Sequence, residues 1–145
     1  MEVQQGFRDL FALFNVHKVE YVVVGAYALA FHGAPRFTGD ILVRPGVRNA
    51  RRVVAALAEF GFASLGLTVE DFTKTGRVVQ LGVAPVRIDL VTSLTGVSWK
   101  EAAAGCRPGS YGDLRVRYLG KSEFISNKRA VGRKKDLADI EAIGH

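Results

Sequence analysis

The sequence predicts an α/β (α+β) fold with helices flanking a small sheet, and three observations point to it. Runs rich in β-branched and apolar residues recur at 21–24, 40–44, 77–81 and 86–92. Between them lie apolar stripes at helical spacing, such as Phe7, Leu10, Phe11 and Phe14, or Val53, Val54, Ala56, Leu57 and Phe60. Glycine and proline punctuate the joins. The 145 residues are enough to close a core, and they predict one domain over 1–145.

The first stripe predicts a helix over 4–15, packing by its phenylalanine face. His17 falls in the link after this helix and reads as a surface or loop histidine. Residues 21–24 read as a buried strand, and Gly25 permits a tight exit from it. Residues 26–31 suit a short helix, which Gly33 and Pro35 stop. Arg36 and Thr38 stand in a polar loop, and a second strand over 40–44 opens on Asp40. His32 reads as a packed or capping histidine rather than a general base.

A helix is predicted over 47–60, ended by Gly61, with Arg44, Arg48, Arg51 and Arg52 crowding its start. Cations at a helix N-terminus oppose its dipole. Either an anion binds nearby or the face is simply solvated. Residues 63–75 read as a loop or a single helical turn around Val69 to Phe72. A hairpin comes next, its strands 77–81 and 86–92 joined through 82–85. In its second strand Val86, Ile88 and Leu90 share one face, while Arg87, Asp89 and Val91 share the other. An Asp inside an apolar strand needs a partner. Pairing with an arginine such as Arg87 is one reading, and metal binding is the other. Ser98 is placed to cap a helix over 99–104, then come a loop over 105–112 and a strand over 114–119. Ser122 is placed to cap a helix over 123–131 that Gly132 stops, and a last helix over 134–143 carries Leu137, Ile140 and Ile143 on one stripe.

The formal net charge of +6 and pI near 9.8 suit an anionic partner, or serve solubility alone. Cys106 is the only cysteine, which excludes an internal disulfide, predicts a cytoplasmic setting and reads as a small buried hydrophobe. The N-terminal residues lack the pattern of a signal peptide, and no apolar run approaches the ~20 residues of a membrane span.

Four separated motifs carry a resemblance: Val24-Gly25-Ala26, Asp40-Ile41, Arg87-Ile88-Asp89-Leu90, and the basic tail from Asn127 to Asp136. In this order they resemble the nucleotidyltransferases of the DNA polymerase beta superfamily, above all the small bacterial ones related to abortive-infection and toxin–antitoxin systems. The resemblance spans about 22–143. It implies a nucleotidyltransferase fold built on a small mixed sheet. It also implies transfer of a nucleoside monophosphate from an NTP to an unidentified acceptor, tRNA or a protein hydroxyl. Asp40 and Asp89 would be the catalytic, metal-holding carboxylates, with Mg²⁺ as cofactor and Mn²⁺ as its substitute. Gly25, Ala26, Arg36, Thr38 and Lys128 would meet the nucleotide, although Arg36 and Thr38 fit a purely structural loop role equally well.

That chemistry explains the residue types. Charge builds on the attacking oxygen, the phosphorus oxygens and the pyrophosphate, and two divalent ions ~3.5–4 Å apart stabilise both ends of the displacement. Hard Mg²⁺ takes oxygen ligands, and Asp residues two apart on a strand project from one face. The chain departs from the family pattern at two positions. Ala26 replaces a small polar residue or glycine, and Leu42 stands where the second Asp belongs. A two-residue deletion after Ile41 would preserve the strand alternation while removing that ligand. The alternative function is therefore a catalytically degenerate binding module on the same fold. Asp136 and Asp139 read as partners of the nearby cations that fix the tail.

Overall fold

The computed structural model describes residues 5–24, 39–62, 65–82 and 87–143. Within them five α-helices flank a six-stranded mixed sheet of order β3-β4-β2-β1-β6-β5. The expected helix over 26–31 and the hairpin residues 83–86 lie outside the described residues.

Helix α1 (Gln5–Val16) buries Phe7, Leu10, Phe11 and Phe14, the predicted face. Strand β1 (Tyr21–Val24) is buried throughout. It lies antiparallel to β2 (Gly39–Val43), with Tyr21 opposite Val43 and Val24 opposite Asp40. Helix α2 (Val47–Leu57) buries Val53, Ala56 and Leu57, and the helical path breaks at Gly61 at φ 109°. Only glycine adopts that angle cheaply. Val69–Phe72 forms a short 3₁₀ turn whose capping box pairs Thr68 with Asp71.

Strands β3 (Val78–Leu81) and β4 (Ile88–Val91) form the predicted antiparallel hairpin, and β4 then pairs in parallel with β2. Helix α3 (Trp99–Gly105) starts at Ser98, which accepts from the Glu101 amide in a full capping box. The expected loop over 105–112 is instead strand β5 (Arg107–Tyr111), hairpinned to β6 (Leu114–Tyr118) through Gly112 and Asp113. Pro108 and Gly109 made this stretch read as a loop. At the sheet edge the missing proline N–H costs no ladder bond, and Gly112 at φ 62° supplies the tight turn.

Helix α4 (Lys121–Val131) begins two residues earlier than a Ser122 cap would allow, so Ser122 lies within its first turn. Gly120 leads into it without a side-chain cap, and Gly132 ends it at φ 72° as expected. Helix α5 (Lys134–Ala142) buries Ile140 and, beyond its end, Ile143, but leaves Leu137 52% exposed. Asp136 and Asp139 turn inward instead, so the buried stripe runs 136, 139, 140, 143.

Two cores result. Helices α1 and α2 cover one sheet face, packing on Val23, Ile41, Val43, Leu90, Val116 and Tyr118. On the other face Val22, Val24, Leu42 and Leu119 meet Ala102 of α3, Phe124 of α4 and Ile143. Cys106 packs against this second core and donates to the Ala103 carbonyl. Among the described residues no helix is long and apolar enough to cross a membrane.

Candidate active site

Strand alternation brings two carboxylates together. In β4, Ile88 and Leu90 enter the α1/α2 core, so Asp89 projects from the opposite face. In β2, Ile41 and Val43 do the same, so Asp40 and Leu42 share that opposite face. The parallel register sets Asp40 beside Asp89. Like charges are thus adjacent at one end of the sheet, where β2 begins.

Each carboxylate has a distinct environment. The Asp89 side chain is 17% exposed, and its Oδ2 accepts from the Arg87 guanidinium at 3.3 Å. Its Oδ1 is buried with no hydrogen-bond partner among the described residues. The arginine pairing expected of Asp89 is therefore present on one oxygen, and the other oxygen is left over. Asp40 is raised to about 6, first by burial and then by the charge of Asp89. Lys128 and Arg87 pull it back down. A shared proton, or a cation, would relieve both the repulsion and the partnerless oxygen.

Lys128 reaches this site from α4. Its ammonium lies 3.4 Å from Asp136 Oδ1, 3.7 Å from Asp139 Oδ2 and 5.4 Å from the centre of the Phe124 ring. Asp136 is fully buried, and the Arg133 guanidinium, donating at 2.7 Å, holds its carboxyl down at about 2. The tail acids thus pair with cations, as the sequence suggested, and they orient the lysine whose charge is felt at Asp40.

The structure brings Asp40, Asp89 and Lys128 into one neighbourhood. Gly25, Ala26, His32, Arg36 and Thr38 lie outside the described residues. Leu42 is 1% exposed and packed with Val22, Leu119 and Phe124, so position 42, where the resemblance expects a second carboxylate, belongs to the core. His17 bonds Glu59 at 2.6 Å, remote in the fold from the carboxylates.

Among the described residues no group of three or more His, Cys, Asp or Glu side chains is placed to hold a metal ion. Two carboxylates with one unpartnered buried oxygen still suit a single hard divalent ion, whose other positions phosphate oxygens and water can fill. They do not make a two-metal site. Sequence reasoning passed over Lys18, Arg115 and Arg117. The alternation Leu-Arg-Val-Arg-Tyr over 114–118 was the available signal for a basic strand face.

No protein-family model matches the sequence, and no curated protein matches it. Solved structures do. The fold is similar to that of the lincosamide antibiotic adenylyltransferase LnuA, solved with lincomycin bound, at TM-score 0.54 and 12% identity over 97% of this chain and 95% of that one. It is also similar to an antigenic nucleotidyltransferase-like protein from Paracoccidioides brasiliensis, at TM-score 0.53 and 14% identity over 95% of this chain and 74% of that one. The chain has the nucleotidyltransferase fold.

Proposed function

We propose that this fold binds a nucleoside triphosphate with one Mg²⁺, or Mn²⁺ in its place, and transfers the nucleoside monophosphate to an acceptor hydroxyl. The observation that carries the reading is the Asp40–Asp89 pair, in register on neighbouring strands, with a buried oxygen that has no partner among the described residues. Its motifs resemble those of the small bacterial nucleotidyltransferases of abortive-infection and toxin–antitoxin systems, and its single cysteine suits a cytoplasmic setting.

The acceptor oxygen attacks the α-phosphorus, and the bond from that phosphorus to the bridging oxygen breaks. Pyrophosphate leaves, and the hydroxyl proton passes to a carboxylate of the pair. Asp40 and Asp89 would hold the metal, which supplies Lewis-acid stabilisation of phosphate charge. Lys128 neutralises charge on the polyphosphate and is oriented for this by Asp136 and Asp139. By the motif resemblance, Gly25 and Ala26 would let the phosphates approach, and Arg36 and Thr38 would touch phosphate.

A specific observation favours the second reading, a binding module without turnover: Leu42 is wholly committed to packing. The deciding experiment incubates the protein with each α-labelled NTP, Mg²⁺ or Mn²⁺, and a panel of acceptors. The panel holds cellular RNA including tRNA, cellular protein, and lincomycin, because that molecule is bound in a structural neighbour. Label transfer that Asp40→Asn and Asp89→Asn each abolish supports the enzyme. Metal-dependent NTP binding without transfer supports the module. Absence of NTP binding refutes the enzyme and leaves a fold retained for binding something else.

A further inference from the structure

The end of the sheet opposite the carboxylates carries the opposite charge. Val116 and Tyr118 enter the α1/α2 core, so Arg115 and Arg117 of β6 project from the other face and are exposed. The same alternation carries Glu20 and Arg44 to that face, where the Arg44 amide donates to the Glu20 carbonyl and extends the β1–β2 ladder. Helices α3 and α4 roof the middle of this face over Val22, Leu42 and Leu119. Its basic end carries the side chains of Arg44, Arg115 and Arg117 in the open.

Two cavities adjoin there and share Glu20. One, of about 450 Å³, adds Lys18, Arg115 and Arg117. The other, of about 420 Å³, adds Arg44, Arg48 and Arg52. Arg52 donates to the Lys18 carbonyl at 3.1 Å and ties the two together. Six cations therefore surround one carboxylate, and Arg44 already pairs with it at 3.1 Å. The first turn of α2 has no acidic residue to offset these arginines. From β2 to β6 the patch crosses two strand spacings, about 10 Å, which is wider than one phosphate needs.

We propose that this basic end docks the phosphodiester backbone of a structured RNA. The cations meet phosphates, and Glu20 accepts from a ribose 2′-hydroxyl. The charge fixes the partner as a polyanion. None of the large hydrophobic side chains exposed among the described residues is aromatic, so the patch offers no stacking platform for splayed bases, which favours a duplex backbone over a single strand. Glu20 decides between nucleic acids. A carboxylate among phosphate contacts is a liability on DNA, but it has a donor to bind on RNA. The proposal deepens the nucleotidyl-transfer reading by naming the acceptor, and it rests on that reading only for the transfer step, not for binding.

The test is fluorescence anisotropy of the full chain with a labelled RNA hairpin and the DNA hairpin of the same sequence, without NTP or divalent ion. RNA should bind more tightly than DNA, and its affinity should fall steeply with salt. Arg115→Ala with Arg117→Ala should weaken RNA binding about tenfold at low salt and flatten the salt dependence by roughly 0.9 per lost phosphate contact. Arg48→Ala, on the other cavity, should weaken it as well. Replacing Lys134 and Lys135, exposed cations on α5, by Ala should leave it unchanged. Glu20→Ala should narrow the preference for RNA. Thermal melts matching the parent protein show that the variants fold. The proposal is overturned if RNA does not bind at low salt, if DNA binds equally well, or if the α5 variant loses as much as the β6 variant. NTP transfer to a different acceptor without RNA binding removes the docking surface and leaves the enzyme. RNA docking without transfer removes the enzyme and leaves the surface.

Discussion

Replacing Asp40 by Asn should stabilise the protein at neutral pH, with a gain that disappears in acid. Asp40 titrates at about 6 rather than 3.8 because burial and the neighbouring Asp89 both penalise its charge. The native state therefore holds this proton more tightly than the unfolded chain does. Its contribution to stability is fully present below 3.8 and is lost as pH rises through about 6. The difference corresponds to ~3 kcal/mol at about 1.4 kcal/mol per pH unit. Asparagine carries no charge, and its amide can donate to the partnerless Asp89 Oδ1. It still needs partners of its own, so the observable gain is about 1–3 kcal/mol. The assay is urea unfolding of both proteins from about pH 4 to pH 8 in metal-free buffer, read as ΔG in water. The parent should lose stability relative to Asp40→Asn across about pH 4 to 6, after which the gap stays constant. A variant no more stable at neutral pH, or equally favoured in acid, would refute the placement of Asp40 beside a buried like charge.

Other outcomes are equally specific. Asp136→Asn should cost ~3 kcal/mol at neutral pH by taking the buried carboxylate from Arg133 and leaving Lys128 only Asp139, measured by urea unfolding. Because Asp136 is held at about 2, that stabilisation should be present above about pH 4 and be lost as pH falls through about 2. Gly96→Ala should destabilise by ~1–3 kcal/mol in a thermal melt, since Gly96 sits at φ 79° and a Cβ there would lie 2.6 Å from that of Ala130. Leu42→Asp should unfold or severely destabilise the chain, whereas inserting Asp-Ile after Ile41 preserves alternation. The insertion should tighten Mg²⁺ binding in calorimetry, and Asp89→Ala should erase that improvement.

Local periodicity made most of the elements legible in the sequence. The phenylalanine stripe of α1 is set by 3.6-residue spacing, and the separation of Asp89 from Ile88 and Leu90 by strand alternation. The glycine stops at Gly61 and Gly132 come from backbone geometry that other residues avoid. Strand β5 was hidden because Pro108 and Gly109 disfavour strands in general, while an edge position tolerates them. Leu137 misled because helix periodicity cannot weigh a greasy stripe against an ion cluster. Only the tertiary meeting of Lys128, Arg133, Asp136 and Asp139 turns α5. The pairing of β2 with β4 joins residues about fifty apart in the chain, so no local signal sets Asp40 beside Asp89. Resemblance to a known motif order supplied that expectation.

Leucine at position 42 makes sense from where the core ends. Asp40 and Leu42 share a face, yet Asp40 is partly exposed and Leu42 is buried under Leu119 and Phe124. A carboxylate at 42 would be desolvated beneath an apolar roof, at a cost of several kcal/mol unless a cation met it. With leucine there, the hydrophobic layer extends within two residues of the acidic pair. The apolar layer then separates the acidic end of this face from its basic end, and Lys128 lies near the acids because Asp136 and Asp139 hold it there. This arrangement favours one ion over two. A titration of Mn²⁺ at saturating nucleotide should therefore reach a single bound ion per chain. Two bound ions would mean that a carboxylate beyond Asp40 and Asp89 completes the site.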